Sequence, residues 1–401
     1  VDPEPLSEFE AAQPSLSRRK VLGQIADLLE KNGIAVEDIG RVDRVNVWQG
    51  FYKDDEGGHH VVDMAGIQLA PVWDEGPQWP VVQQAAPCVV AHNGGVADDT
   101  QRADLCNTKV TVLLPDPQIG YRRLADGELV PMHDEQAMAC ALELLAVIRP
   151  DRVVNLGDFL EFAEWSSKFL VLPEFVLTTQ PTVDRAHRFL AEQQAAAGPQ
   201  CVEWALLEGN HDDRLAKAIA KNAMAALRLR QANAPDSWPV MSLPHLLRLD
   251  DLGVTYIGGY PAGRVKVADE HGSQTALYAL HGVRLSMEKQ ARFERVSTVQ
   301  GHHHHFSMAS ETYDLGDGEA ADVESWSLGC LCRRDGAIPS TKGGTDARGH
   351  HIERVESWQH GIGVLTEDEN GWDLQPVRIR DGRARWRDQT VTARPTKGAT
   401  Q

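Results

Sequence analysis

Three things are missing from this chain of 401 residues. No run of about 18 apolar residues occurs, which leaves no candidate for a helical membrane span. No two of its six cysteines form a CxxC pair, and a chain this long does not need disulfide staples to close a core. Positive charge is also short, with 40 Lys and Arg against 58 Asp and Glu and a formal net charge of −18. That balance argues against broad electrostatic capture of nucleic acid. Bound divalent ions would reverse the sign of a local field, so nucleic acid is not excluded as a substrate. The opening VDPEPLSEFE lacks the basic-then-apolar order of a secretory signal, and the cytoplasm is the expected compartment. Hydrophobic and charged contents of 42% and 24% are ordinary for a soluble globular protein. Among the cysteines, Cys140 falls in an apolar helical pattern and Cys201 opens an apolar strand, so both read as core residues. Cys330 and Cys332 alternate along a strand-like run, where a redox or zinc role is the less expected reading.

Patterning divides the chain. Residues 1–16 read as a disordered tail. Ser17 can cap a helix whose Val21, Leu22, Ile25, Leu28 and Leu29 share one face, with Gly33 at its stop. Strand-like runs at 44–52 and 59–69, separated by DDEGG, complete a small α+β module over 17–70. Prolines at 71, 77, 80 and 87 break regular structure, so 71–108 reads as a linker. From Lys109 short buried strands (KVTVLL, RVVNL, CVEWALL) alternate with helical runs at 134–148 and 182–197 and a third helix starting near Asp213. This is an α/β pattern with a largely parallel sheet. After Val254 the pattern turns β-rich, through VTYIG, GRVKV, TALYAL, STVQ, ESWSLG, GIGVLT and WDLQPVRI. The catalytic domain is expected over 109–390, with a tail at 391–401. No internal repeat is evident.

Chemistry concentrates where strands end. KVTVLL runs into Asp116 and Gln118, RVVNL into Gly157 and Asp158, and CVEWALL into Gly209, Asn210, His211, Asp212 and Arg214. TALYAL runs into His281, and STVQ into Gly301 and the histidines 302–305. In open α/β sheets ligands bind beyond the carboxyl ends of strands, so these clusters should meet on one rim. Carboxylate, amide oxygen and imidazole suit Mn²⁺, Fe, Zn²⁺ or Ni²⁺, and the neighbouring glycines let backbone approach an ion closely.

The order D-x-[H/Q], GD, GNHD, HG, GHxH resembles that of the calcineurin-like metallophosphoesterases, over about 109–387. Single motifs are weak; five in order at strand ends are specific. The resemblance implies a two-sheet α/β/β/α sandwich and a dinuclear centre. Asp116 and His304 would bind the first ion, Asp158 would bridge, and Asn210, His281 and His302 would hold the second. Gln118 stands where the family has histidine. It would be a weaker, harder ligand, leaving the first position more tolerant of Mn²⁺. Two such ions, about 3.5–4 Å apart, clamp the attacking and leaving oxygens of an in-line displacement, with a bridging hydroxide as nucleophile. His211 takes the family's position near the leaving oxygen, and Asp212 and Arg214 are counted with it as catalytic candidates. The expected activity is a phosphodiesterase or nuclease on DNA or RNA. The alternatives are a small-molecule phosphoesterase, which suits the acidic charge, and a non-catalytic binding protein of the same fold.

Competing readings exist for several residues. In an extended segment alternate side chains share a side, so either His302 with His304 or His303 with His305 faces the ions; the family pattern favours the first pair. Asp212 and Asp213 could cap the helix they precede, and Arg214 could reach a phosphate or make a surface salt bridge. Asp134 is a natural N-cap, which leaves His133 a minor substrate candidate, and His59 and His60 read as exposed. Arg333, Arg334, Lys342, Arg348, His350 and His351 occupy a glycine-rich loop that could line a substrate groove. RIRDGRARWR reads as a solvated hairpin.

Overall fold

The computed structural model describes residues 31, 39–53, 59–71, 86–90, 107–168, 171–230, 232, 239–339, 352 and 354–394. The expected tail at 1–16, the helix from Ser17 and most of the linker lie outside the described residues. The chain divides into two compact units, 1–85 and 86–401, a boundary inside the proline-rich stretch. In the first unit, strands β1 (Ile39–Lys53) and β2 (His59–Pro71) pair antiparallel, with Lys53 opposite His59. The DDEGG segment between them lies outside the described residues. The paired ribbon is longer than the alternation suggests, because register shifts near Ile39 and Val42 carry the pairing past Arg44. The side chains of His59 and His60 lie outside the description.

The second unit is mixed α/β. Strand β3 (Lys109–Leu114) leads through a small hairpin, β4 (Tyr121–Arg123) and β5 (Leu129–Pro131), to helix α1 (Glu135–Ile148). Asp134 caps α1 as expected, accepting from the backbone N–H of Gln136 and Ala137 at 3.0 and 2.9 Å. Then come β6 (Arg152–Asn155), α2 (Thr179–Ala197), β7 (Glu203–Leu207), α3 (Arg214–Asn222), α4 (Leu243–Leu246), β8 (Thr255–Ile257), β9 (Arg264–Ala268) and β10 (Leu277–Leu280). Helix α5 (Met287–Glu294) precedes β11 (Ser297–Gln300), β12 (Phe306–Gly316), β13 (Glu319–Leu328), β14 (His360–Asp368), β15 (Gly371–Arg380), β16 (Arg383–Trp386) and β17 (Gln389–Thr392). β17 ends two residues beyond the expected domain limit.

Two larger sheets result. One runs β17-β16-β15-β14-β3-β6-β7-β8, the other β12-β13-β11-β10-β9. The expected parallel character holds for β3, β6, β7 and β8, but β14 lies antiparallel to β3 and starts a meander through β17. Short links set the meander: Glu369 and Asn370 join β14 to β15, and Asp381 and Gly382, both at positive φ (49° and 67°), join β15 to β16 as the hairpin turn that RIRDGRARWR encodes, each too short for a parallel crossover. Side chains of the central strands alternate between two cores. Val112, Leu114, Val153 and Leu206 face α1 and α2, whereas Leu113, Val154, Ala205 and Leu207 share a second core with Leu277, Ala279 and Val299 of the other sheet. Being covered on both faces is why these strands read as unbroken apolar runs. Met138, Ala141, Leu145 and Ile148 supply the inward stripe of α1. Truncating one such leucine to alanine costs about 2–5 kcal/mol. No helix of the described residues is long and apolar enough to cross a membrane.

Candidate metal centre

The parallel strands β3, β6 and β7 of one sheet and β10 and β11 of the other all deliver their C-terminal ends to one place. Asp116, Asp158, His281 and His304 are there, each at most 4% exposed. The chain bends sharply to bring them in. Asp116, Gln118, Asp158, His302 and His304 all hold positive φ, between 41° and 64°, a region that costs a non-glycine residue of order 1–3 kcal/mol and persists where function requires it. Close approach also explains one glycine. A Cβ at Gly209 would sit 2.2 Å from Asp158 Oδ1, so no side chain fits where the β7 loop passes the β6 loop.

Three groups of donors form among the described residues, one of them His304 with Cys330 and Cys332, and Asp158 belongs to the other two. Asp158, His281 and His302 place one ligand atom each within 4.8 Å of one another, and so do Asp116, Asp158 and His304. In the first of these groups the His281 Nδ1–H donates to the Leu156 carbonyl at 2.9 Å. That leaves Nε2 facing Asn210 Oδ1 at 3.2 Å and Asp158 Oδ1 at 3.3 Å. In the second, His304 Nε2 is 3.4 Å from Asp116 Oδ1. His304 Nδ1 and Nε2 and Gln118 Oε1 are buried without a hydrogen-bond partner. Buried orphans of this kind call for a missing partner, and a divalent cation suits a carboxylate, imidazole and amide set. The residues therefore fit a metal ion. Asp116 is itself positioned by the His302 N–H, which donates to its two oxygens at 2.9 and 3.0 Å.

The electrostatics describe a site that keeps protons in the place of cations. Burial opposes charge on His281, yet Asp158 outweighs it and the imidazole is pushed up to about 9. His304 likewise reaches about 9 against its burial, through Asp116. Burial together with the neighbouring His281 lowers His302 to about 4. Asp158, although desolvated, is held well below the usual carboxylate range by His211 and His281. Metal ligands must shed such protons.

Beside the donors stands a relay that the motifs revealed only in part. The His211 N–H donates to Asp158 Oδ1 at 2.8 Å, its Nδ1 meets Glu161 Oε2 at 2.5 Å, and its Nε2 lies 3.7 Å from Asp158 Oδ2. Glu161 is fully buried, and Arg214 Nη1 donates to its Oε1 at 2.8 Å. Its carboxyl stays ionised against burial because of His211 and Arg214. Arg214 is thus no surface salt bridge; it is buried as the counter-ion of Glu161. Glu161 went unnoticed in the sequence, although an acid amid FLEFA was its signal. Asp212 is no helix cap either. Its buried carboxylate accepts from Gly209 N at 2.8 Å, Leu160 N at 3.0 Å and Phe159 N at 3.2 Å, clipping the β6 and β7 loops together. Burial and Asp158 push it up to about 7. Asp213 takes the N-cap position of α3 without a side-chain cap bond and pairs instead with Lys217 at 2.6 Å.

Other expectations resolve as follows. The segment 301–305 is not extended, since φ is positive at His302 and His304. The expected pair still joins the donors, while the His303 and His305 rings lie 4.6 Å apart from each other and partly exposed. Gln118 is buried beside His211, its Nε2 3.4 Å from Nδ1. His133 is fully buried between the Gly120 carbonyl at 3.2 Å and Glu135 at 2.9 Å. Arg333 pairs with Asp335 and donates to the Pro131 carbonyl at 2.9 Å, and Arg334 reaches the Trp358 carbonyl at 3.5 Å. Lys342, Arg348, His350 and His351 lie outside the described residues.

No family model matches the chain. It is similar to the Gene 54 protein of Mycobacterium phage D29, 26% identical over 266 residues that cover 63% of this chain and 91% of that protein.

Proposed function

We propose that the chain is a dinuclear metal-dependent phosphoesterase of the calcineurin-like kind, its two facing sheets with helices outside forming that family's α/β/β/α sandwich, and that it cuts phosphodiester bonds in nucleic acid. The observation that carries this reading is that Asp158 is shared by two of the donor groups, as a carboxylate bridging two ions must be. Asp116, Asp158, Asn210, His281, His302 and His304, with Gln118, would hold two divalent ions, which supply Lewis-acid activation of water and neutralise the phosphoryl oxygens. His211 lies against the bridging carboxylate. Glu161 takes its Nδ1–H, so Nε2 is the nitrogen that passes a proton to the departing oxygen. Arg214 keeps Glu161 ionised and in place, and Asp212 fixes the spacing of the two loops that carry Asp158 and His211.

The test is hydrolysis by the purified protein with Mn²⁺ on single-stranded DNA, duplex DNA, RNA, cyclic nucleotides and a phosphomonoester. Cleavage of polymeric diesters is expected. Turnover confined to cyclic nucleotides or monoesters would replace the polymer with a small substrate, which the net charge of −18 accommodates. A protein that binds two ions and hydrolyses none of these would overturn the reading.

A further inference from the structure

Cys330 and Cys332 stand against the half of the centre that Gln118 weakens. Both are fully buried, and each offers a sulfur within 4.8 Å of the other and of an imidazole nitrogen of His304. The backbone ties them to the loop of Asp116. The Leu331 N–H donates to the Asp116 carbonyl at 3.1 Å and the Cys330 N–H to the Gln359 carbonyl at 2.9 Å. His360 Nε2 lies 2.7 Å from the Cys332 carbonyl. The Cys330 sulfur lies 3.7 Å from the Gln359 carbonyl and 3.9 Å from that of Cys332 and also meets the Cys332 thiol; a thiol is a weak donor. A separate observation points the same way: neither nitrogen of the buried His304 ring has a hydrogen-bond partner.

We propose that Cys330 and Cys332 are thiolate donors to the ion that His304 holds at the first position, where Gln118 offers only a neutral amide. The inference rests on the dinuclear reading above for its second ion. The two sulfurs and the His304 nitrogen lie within 4.8 Å of one another, against an edge of about 3.5–3.8 Å in a tetrahedral zinc site with usual Zn–S and Zn–N lengths, so side-chain shifts of at most roughly an ångström bring them onto one ion. Each thiol releases its proton to solvent on binding. Thiolate selects a softer ion, zinc or ferrous iron, than the oxygen and nitrogen donors of the second position, which also accept manganese. The two positions therefore carry different metals.

Cobalt reports the difference, because a thiolate bound to Co²⁺ gives an intense near-ultraviolet charge-transfer band that oxygen and nitrogen donors lack. Metal-stripped wild-type protein titrated with Co²⁺ should bind two ions and develop that band. The double variant Cys330→Ser, Cys332→Ser should lose the band and retain one ion. Two cobalt ions bound to wild type with no band would overturn the proposal, whatever the variant does. One ion with the band, unaffected by Asp158→Asn, would uphold the thiolate site and sink the dinuclear reading. No bound ion would end both.

Discussion

At the second position His281 donates Nδ1–H to a carbonyl and aims Nε2 at Asn210 and Asp158, 3.2 and 3.3 Å away. At the first position His304 has neither nitrogen hydrogen-bonded and meets Asp116 at 3.4 Å. A ligand whose other nitrogen is already engaged has its tautomer and ring plane set before an ion arrives. The second position is preorganised; the first must be organised by its ion. The second should therefore fill first and hold its ion more tightly.

The largest effect that would break this asymmetry is loss of the shared carboxylate. Asp158→Asn should cost both ions and all activity, read as metal content by mass spectrometry, and full occupancy in the variant would end its role as a bridge. Single histidine removals should split the centre. His302→Ala and His304→Ala should each lose one ion, whereas His303→Ala and His305→Ala should lose none; the reverse pattern would place the wrong pair at the metals. His211→Ala should keep both ions and lower the rate by about 10²–10⁴-fold, the usual range for general acid help. The loss should be larger on DNA than on bis-nitrophenyl phosphate, whose leaving group departs without a proton, and an equal loss would make His211 a positioning residue. Proton release sharpens the comparison further. His281 and His304, both raised to about 9, are protonated at neutral pH and must be neutral to ligate, so affinity for ions should climb with pH until about 9 and then level off. Calorimetry in buffers of differing ionisation heat would show protons leaving with each ion, and a flat affinity between pH 7 and 9 would refute it. The smallest change is Gln118→His, which should retain or tighten the first ion; a weaker first position would contradict the placement of Gln118.

The candidate donors were legible because each lies within a few residues of a strand end, and strand ends are readable from short apolar runs. Glu161 was not, because whether the third residue after Asp158 points to His211 depends on the left-handed turn at Asp158. Cys330 was not, because nothing local ties it to His304; the pairing of Cys330 with Gln359 and of Leu331 with Asp116 does. The long strand β12 went unread for a different reason. Its exposed outer positions break the apolar alternation, and its place is set by its partner β13. Likewise the antiparallel pairing of β14 with β3 was hidden, because no local signal sets the direction of a strand whose partner lies far away in the chain.

The hydrogen bond from His281 to Leu156 crosses from one sheet to the other. Leu156 is buried in the core the sheets share, with Leu113, Val154, Leu277 and Val299. That core is consequently a spacer: its thickness gauges the gap between the ligand of one sheet and those of the other. A methylene removed there leaves every donor in the sequence, yet resets the distance across which an ion is gripped. On the dinuclear reading proposed above, metal preference is thus tunable from residues that never touch a metal.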